Sequence, residues 1–137
     1  MEIYDALVIG GGQSGLAAGY HLQRAGLRFL ILEASDEATG SWKRYYDSLK
    51  LFSPARYSSL PGMRFPGHPE RYPTRDEVVD YLHAYAEHFR LPIRTHAFVK
   101  RIERQGVNFI VHMNGQGTLT ARSIIAATGA FSRPHLP

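Results

Sequence analysis

Residues 3–9, Ile-Tyr-Asp-Ala-Leu-Val-Ile, run straight into Gly10-Gly11-Gly12-Gln13-Ser14-Gly15, and this junction constrains the fold more than any other stretch. A β-branched, apolar run is the pattern of a central parallel strand covered on both faces. A helix is expected from about Gln13 to Ala25, stopped by Gly26, where a left-handed residue costs little. Arg28-Phe29-Leu30-Ile31-Leu32-Glu33 then reads as a second buried strand, so strand, helix and strand close in about thirty residues, one βαβ unit.

Within that unit the glycines satisfy G-x-G-x-x-G, a weak pattern in isolation. Here it follows a strand and opens a helix, and Glu33 lies 18 residues beyond Gly15 at the tip of the second strand. Gly10 permits the tight turn, Gly12 leaves room for a pyrophosphate, and Gly15 allows close helix–strand packing, a small-residue seam continued by Ala17, Ala18 and Gly19. The helix N-terminus offers free amides and a partial positive charge to phosphate. The Glu33 carboxylate can accept hydrogen bonds from both ribose hydroxyls and would repel a 2′-phosphate, which disfavours NADP. The motif specifies a dinucleotide without saying which. A nucleophile elbow would need glycine where Leu16 stands, and no G-K-[ST] follows for a P-loop. Tyr46 and Lys50 match Tyr-x-x-x-Lys, but in a Pro/Gly-rich stretch rather than on a distant helix.

Residues 40–73 hold five of the eight prolines, with Tyr45, Tyr46, Phe52, Tyr57, Phe65 and Tyr72 interleaved. Connections this long are uncommon in compact domains, and the aromatics argue against disorder. The segment is therefore expected to be an ordered excursion that lines something. An isoalloxazine needs such a wall and an NAD-only domain does not, which favours FAD. Thr74-Arg75-Asp76-Glu77 fits a capping box opening a helix, with Val78, Leu82, Tyr85, Ala86 and Phe89 at helical spacing and Pro92 closing it. Segments 97–103, 107–113 and 118–121 suggest an antiparallel meander, with Val107, Phe109, Val111 and Met113 on one face and turns at Gln105-Gly106 and Asn114-Gly115. Residues 123–127 suggest a further buried strand. The expected fold is α/β: a Rossmann-like βαβ with a parallel sheet plus a small β-meander over 97–121, as a single domain over 1–137.

Composition narrows the chemistry. The chain has no cysteine, which removes disulfides, thiolate metal sites and dithiol redox chemistry from these residues. The net charge is +4, and the one dense basic group, Lys100, Arg101 and Arg104, suits a solvated strand face better than a nucleic-acid surface. The apolar run 6–9 is far shorter than the ~20 residues a bilayer span needs, and Glu2 and Asp5 precede it, so the expectation is a cytoplasmic chain with neither membrane nor nucleic acid as partner. The seven histidines show no metal-ligand spacing; His83 and His88 project from different faces of one helix. No metal is expected, and no nucleophile–base pair can be assembled.

Four segments together are similar to the N-terminal FAD-binding part of the class B flavoprotein monooxygenases, the group of flavin-containing, Baeyer–Villiger and auxin-synthesis enzymes. They are VIGGGQSGL with Glu33; Gly40-Ser41-Trp42 leading into YYDSLKLFSP; RYPTRDEVVDYLHAYAEHF; and Ala127-Thr128-Gly129 through Pro137. The resemblance implies FAD at the first βαβ, NADPH on a second domain, and a reduced flavin that forms a peroxyflavin to oxygenate a small organic substrate. It places Gly10, Gly12, Ser14 and Gly15 at the pyrophosphate, with Gln13 and Ala34 among the cofactor-binding residues and Glu33 at the adenosine ribose. Ser41, Trp42 and Leu51 would line the flavin side, Val99 would meet the adenine through its backbone, and Thr128 and Gly129 would lie near the dinucleotide. Two departures stand out. No asparagine occurs in Leu51-Phe52-Ser53-Pro54, where flavin-containing monooxygenases carry one, and the family's second glycine motif would follow residue 137. The expectation is thus a truncated or split FAD domain lacking its NADPH site, whose uncovered sheet edge is met by a missing C-terminal part or a second copy. The alternatives are a non-catalytic dinucleotide-binding module or part of another FAD- or NAD-dependent oxidoreductase.

Overall fold

A computed structural model describes residues 2–129. The first half of the chain alternates strand and helix. β1 (Ile3–Tyr4) and β2 (Ala6–Ile9) precede helix α1 (Gln13–Arg24), and β3 (Phe29–Leu32) follows it. After the long excursion come α2 (Arg75–His88) and β4 (Ile93–Arg94). A meander of β5 (Val99–Gln105), β6 (Asn108–Met113) and β7 (Gly117–Ala121) then leads into β8 (Ile124–Ala126).

One sheet is fully parallel with the order β4-β3-β2-β8. Each new strand is added outward from β2 on one side before the chain returns to its other side, which is the start of a doubly wound sheet. The reversal point lies beside the C-terminal end of β2, where the glycine turn begins. The second sheet, β1-β7-β6-β5, covers one face of the first. Strand alternation explains why β2 reads as a continuous apolar run. Ala6 and Val8 pack with Phe29, Ile31, Leu16 and the α2 residues Val78, Leu82 and Tyr85. Leu7 and Ile9 face the opposite way, onto Leu32, Val111, Met113 and Ala121 of the meander side. Leu7, Val8, Leu16 and Ile31 are wholly buried, each worth ~1.5–3 kcal/mol over leaving it in water.

Several expectations change in detail. The predicted strand over 3–9 is two strands, because Asp5 breaks it. The Asp5 carboxylate accepts the Arg28 amide at 2.8 Å, and β1 leaves the parallel sheet to pair with β7. The β5–β6 turn falls at Gly106 and Val107, one residue later than expected, with Gln105 facing Asn108. Val107 is therefore 83% exposed rather than on the inward face, while Val111 and Met113 remain buried. The strand at 123–127 is not fully buried: among the described residues β8 pairs only with β2, and it is half-buried to exposed. The short β4, unanticipated in the sequence, fills the other edge.

The 40–73 excursion contains two short 3-10 turns, Trp42–Arg44 and Ala55–Tyr57, and is seated on α2. Its aromatics divide into two sets. Phe65 is buried against Tyr81, with ring centroids 4.7 Å apart, whereas Tyr46, Tyr57 and Tyr72 are exposed and Phe52 is 98% exposed. Tyr81 and Tyr85 lie in the core, and their hydroxyls also tie down the excursion backbone. Tyr81 accepts from Leu60 N at 2.8 Å and donates to the Met63 carbonyl, and Tyr85 donates to the Pro61 carbonyl at 2.6 Å. Burial raises both phenol pKa values, so the hydroxyls stay protonated donors. Tyr81→Phe is expected to lower stability by ~1–3 kcal/mol in urea denaturation, because it orphans the Leu60 amide.

The capping box forms as the sequence predicts. The Thr74 hydroxyl accepts from Glu77 N at 3.3 Å, and the Glu77 carboxylate accepts from Thr74 N at 3.1 Å. The Arg71 guanidinium bonded to Glu77 holds its carboxyl below the ordinary value of 4.5. A lowered carboxylate pKa contributes stability that is present above the unfolded value and lost as pH falls through the folded one. The melting temperature should therefore decline on acidification below about pH 4.5, with a shallower decline in Glu77→Gln.

Candidate dinucleotide site

At the C-terminal end of β2 the backbone folds back on itself through Gly10, at φ 111°, a conformation side-chain-bearing residues rarely adopt. A Cβ at Gly10 would also overlap the Ala127 carbonyl and lie 3.2 Å from Thr128 Cα, because the segment leaving β8 passes directly over the turn. A Cβ at Gly15 would overlap the Gly10 carbonyl oxygen and lie 2.9 Å from its carbon. At Gly19 it would come 2.8 Å from Ile31 Cδ1, so the small-residue seam holds α1 against β3 as expected.

Gly12 caps α1 with no side-chain hydrogen bond, and the first turn carries no acidic residue. The first intrahelical bond runs from Leu16 N to Gly12 O at 2.9 Å, so the amides of Gln13, Ser14 and Gly15 have no acceptor within the helix. The other wall is Gly40, whose Cα a Gly12 Cβ would meet at 3.1 Å. A narrow cradle lined by backbone, open donors and no carboxylate at its base suits a diphosphate. Trp42 stands at its edge, where the indole Nε1–H donates to Gln13 Oε1 at 3.1 Å. Ser41 donates to the Tyr45 hydroxyl at 3.2 Å, and Tyr45 meets the Trp42 ring edge-on at 5.2 Å.

Glu33, just past β3, turns its carboxylate toward the glycines. Oε1 accepts from Gly11 N at 2.7 Å, while Oε2 accepts from Ser35 N and from Ser35 Oγ, each at 2.8 Å. The Glu33 backbone is held on both sides: its amide donates to Arg94 O and its carbonyl accepts from Ala97 N, each at 2.9 Å. A negative charge thus stands beside the helix tip, at the Gly11 amide. FAD requires a diphosphate cradle and a ribose acceptor in that relation, and the residues present fit it.

The structure gathers Gly10, Gly12, Gln13, Ser14, Gly15, Glu33, Trp42 and Thr128 around one turn. Ala34 follows Glu33 and is exposed, and Gly129, at φ 81°, continues from Thr128. Leu51 packs against the same core as Trp42. Its amide donates to Pro73 O at 2.9 Å, which fixes it to the start of α2. Val99 opens β5, two residues after the Ala97 amide that binds Glu33 O, and packs in the meander core. The rest of the last motif, 130–137, lies outside the described residues. Gly40 belongs to the Gly40-Ser41-Trp42 segment already matched in the sequence. The roles of Gly11, Ser35 and Ala97 are not legible there: Gly11 is an "x" of the motif, and the other two act through backbone or local contacts that no spacing rule encodes.

Behind this turn, Glu37 binds Lys43 and, at 2.8 Å, His83 of α2. The Lys43 hydrogen bond, then His83, holds the Glu37 carboxyl below the ordinary range against the opposing pull of burial. His83 is thereby a hydrogen-bond partner of Glu37 on the surface of α2. No group of His, Asp and Glu placed to hold a metal ion occurs among the described residues, and no described helix is long and apolar enough to cross a membrane.

Comparison with known proteins agrees with this geometry. The sequence profile of the pyridine nucleotide-disulphide oxidoreductases matches residues 7–137. An uncharacterized CzcO-like oxidoreductase of Geobacillus kaustophilus is 42% identical over 136 residues, 99% of this chain and 39% of its own length. The flavin-containing monooxygenase of Stenotrophomonas maltophilia superposes with a TM-score of 0.94 at 41% identity, over 100% of this chain and 42% of that one. A steroid monooxygenase solved with NADP superposes with a TM-score of 0.87 at 25% identity, over 99% of this chain and 28% of that one. The chain thus spans about two fifths or less of the relatives it matches. With its glycine turn, its β3 carboxylate and a family match across nearly its whole length, the chain belongs to the pyridine nucleotide-disulphide oxidoreductase family and corresponds to the FAD-binding domain of its flavin monooxygenases.

Proposed function

We propose that this chain binds the adenosine diphosphate half of FAD between the α1 tip and Glu33, and serves as the flavin domain of an NADPH-using monooxygenase acting on a small organic substrate. The observation that carries the reading is the Glu33 carboxylate at 2.7 Å from the Gly11 amide, beside uncapped first-turn amides. Gly10, Gly12, Gln13, Ser14 and Gly15 bind and orient the diphosphate, and Ala34 flanks the ribose. Ser41, Trp42 and Leu51 form the wall on the flavin side, Val99 offers backbone to the adenine, and Thr128 and Gly129 close over the turn.

When bound, the flavin supplies two-electron redox and oxygen chemistry, and these residues hold it in place. The monooxygenase assignment is supported by the Stenotrophomonas enzyme at 41% identity. NADPH use is supported by the NADP-bound steroid monooxygenase. The NADPH site would lie in the part of those proteins that this chain does not span. Dithiol chemistry, which the family name includes, has no cysteine here to perform it.

The test is oxygen uptake by the FAD-loaded protein that carries this domain. NADPH-dependent consumption of one O2 per NADPH is expected. Efficient electron transfer from NADPH to a disulfide with no oxygen uptake would overturn the monooxygenase reading and leave FAD binding standing.

A further inference from the structure

We propose that Ser35 is a positioning residue that fixes the Glu33 carboxylate for the adenosine ribose, an inference that rests on the FAD reading above. The terminal torsion of glutamate is soft and nearly two-fold, so one hydrogen bond does not define the carboxylate plane. The Gly11 amide holds Oε1. Oε2 is held from one residue, by Ser35 N and Ser35 Oγ.

The Ser35 hydroxyl carries one proton and has two acceptors at 2.8 Å, Glu33 Oε2 and the Glu37 carbonyl. The ionised carboxylate is the stronger acceptor and takes it. The serine oxygen in turn accepts from Glu37 N at 3.4 Å. Ser35 is itself held from both sides: its carbonyl accepts from His96 N at 2.9 Å, and Glu37 is anchored by Lys43 and His83. Rigidity therefore passes from α2 through Glu37 and Ser35 to the carboxylate. Without the hydroxyl, Oε2 keeps a single donor and the carboxylate can rotate out of the plane the ribose needs.

The experiment is calorimetric titration of the full chain with ADP and with 2′,3′-dideoxy-ADP, in wild type, Ser35→Ala and Ser35→Thr. A positioning role predicts that Ser35→Ala weakens ADP binding by about three- to tenfold, the worth of one charge-assisted hydrogen bond partly compensated. Binding of the dideoxy probe should be unchanged, and Ser35→Thr, which keeps the hydroxyl, should restore ADP affinity. Equal loss on both probes would mean a merely structural role and would overturn the inference, as would an alanine variant that binds ADP like wild type. In both cases a wild type that prefers ADP to the dideoxy probe leaves the Glu33 reading intact. A wild type that binds the two probes alike overturns the ribose role of Glu33, and this inference with it.

Discussion

Gly15→Ala is expected to cost about 4 kcal/mol or more of folding stability, in the range reserved for steric failure in a core. The added methyl overlaps the Gly10 carbonyl oxygen, which is backbone and has no rotamer to retreat into. Relief requires α1 to lift from the glycine turn, which would also open the seam at Gly19 and Ile31. Gly10→Ala should fail comparably, since it combines φ 111° with overlap on the Ala127 carbonyl. Gly115→Ala is the control: its φ is 78° but a Cβ there meets nothing within 4 Å, so only the left-handed backbone penalty of ~1–2 kcal/mol applies. Urea denaturation of the three variants checks the ranking. A Gly15→Ala protein as stable as Gly115→Ala would contradict the packing described for the turn.

Glu33→Gln should weaken FAD binding by about ten- to a hundredfold, the loss of hydrogen bonds to a charged acceptor. The substitution keeps the size of the side chain but not its donor–acceptor logic. Both carboxylate oxygens accept backbone amides, Oε1 from Gly11 and Oε2 from Ser35. An amide side chain has one oxygen, so its NH2 must face an N–H whichever way it is turned. Glu33→Ala removes the conflict along with the acceptor, and should bind FAD about as weakly while remaining the better folded of the two. Flavin fluorescence titration reads the affinities and thermal melting reads the folds.

The parts of this fold that are legible in sequence are those set by local periodicity and by rules with fixed offsets. The helix after Gly12, its stop at Gly26, the capping box at Thr74 and Glu77, and the strand ending at Glu33 all belong to this class. What escapes depends on tertiary partners. Asp5 breaks a β-branched run because its carboxylate caps Arg28, a residue 23 positions away. Val107 moves to a turn because the β5–β6 ladder closes at Gln105 and Asn108, which leaves Val107 outside it while Val111 and Met113 keep their buried face. β4 is two residues long and exists because β3 has a free edge to offer. The excursion was readable as ordered from its aromatics, but not its anchoring by the Tyr81 and Tyr85 hydroxyls. Both tyrosines sit at core spacing, and nothing in that spacing says that their oxygens are used. The candidate site divides in the same way: the glycines and Glu33 follow from motif spacing, whereas the contacts of Ser35 and Ala97 are visible only once the chain is folded.

In the proposed reading, the glycine turn and Glu33 recognise the adenosine diphosphate half of the cofactor. Competition against bound FAD decides this, with ADP and FMN as the two competitors. ADP carries the diphosphate and adenosine ribose without the flavin, and FMN carries the flavin without the adenosine. ADP is expected to displace FAD from the wild-type chain, FMN is not, and Glu33→Ala is expected to weaken ADP and FAD together. Displacement by FMN with indifference to ADP would contradict recognition through the adenosine half.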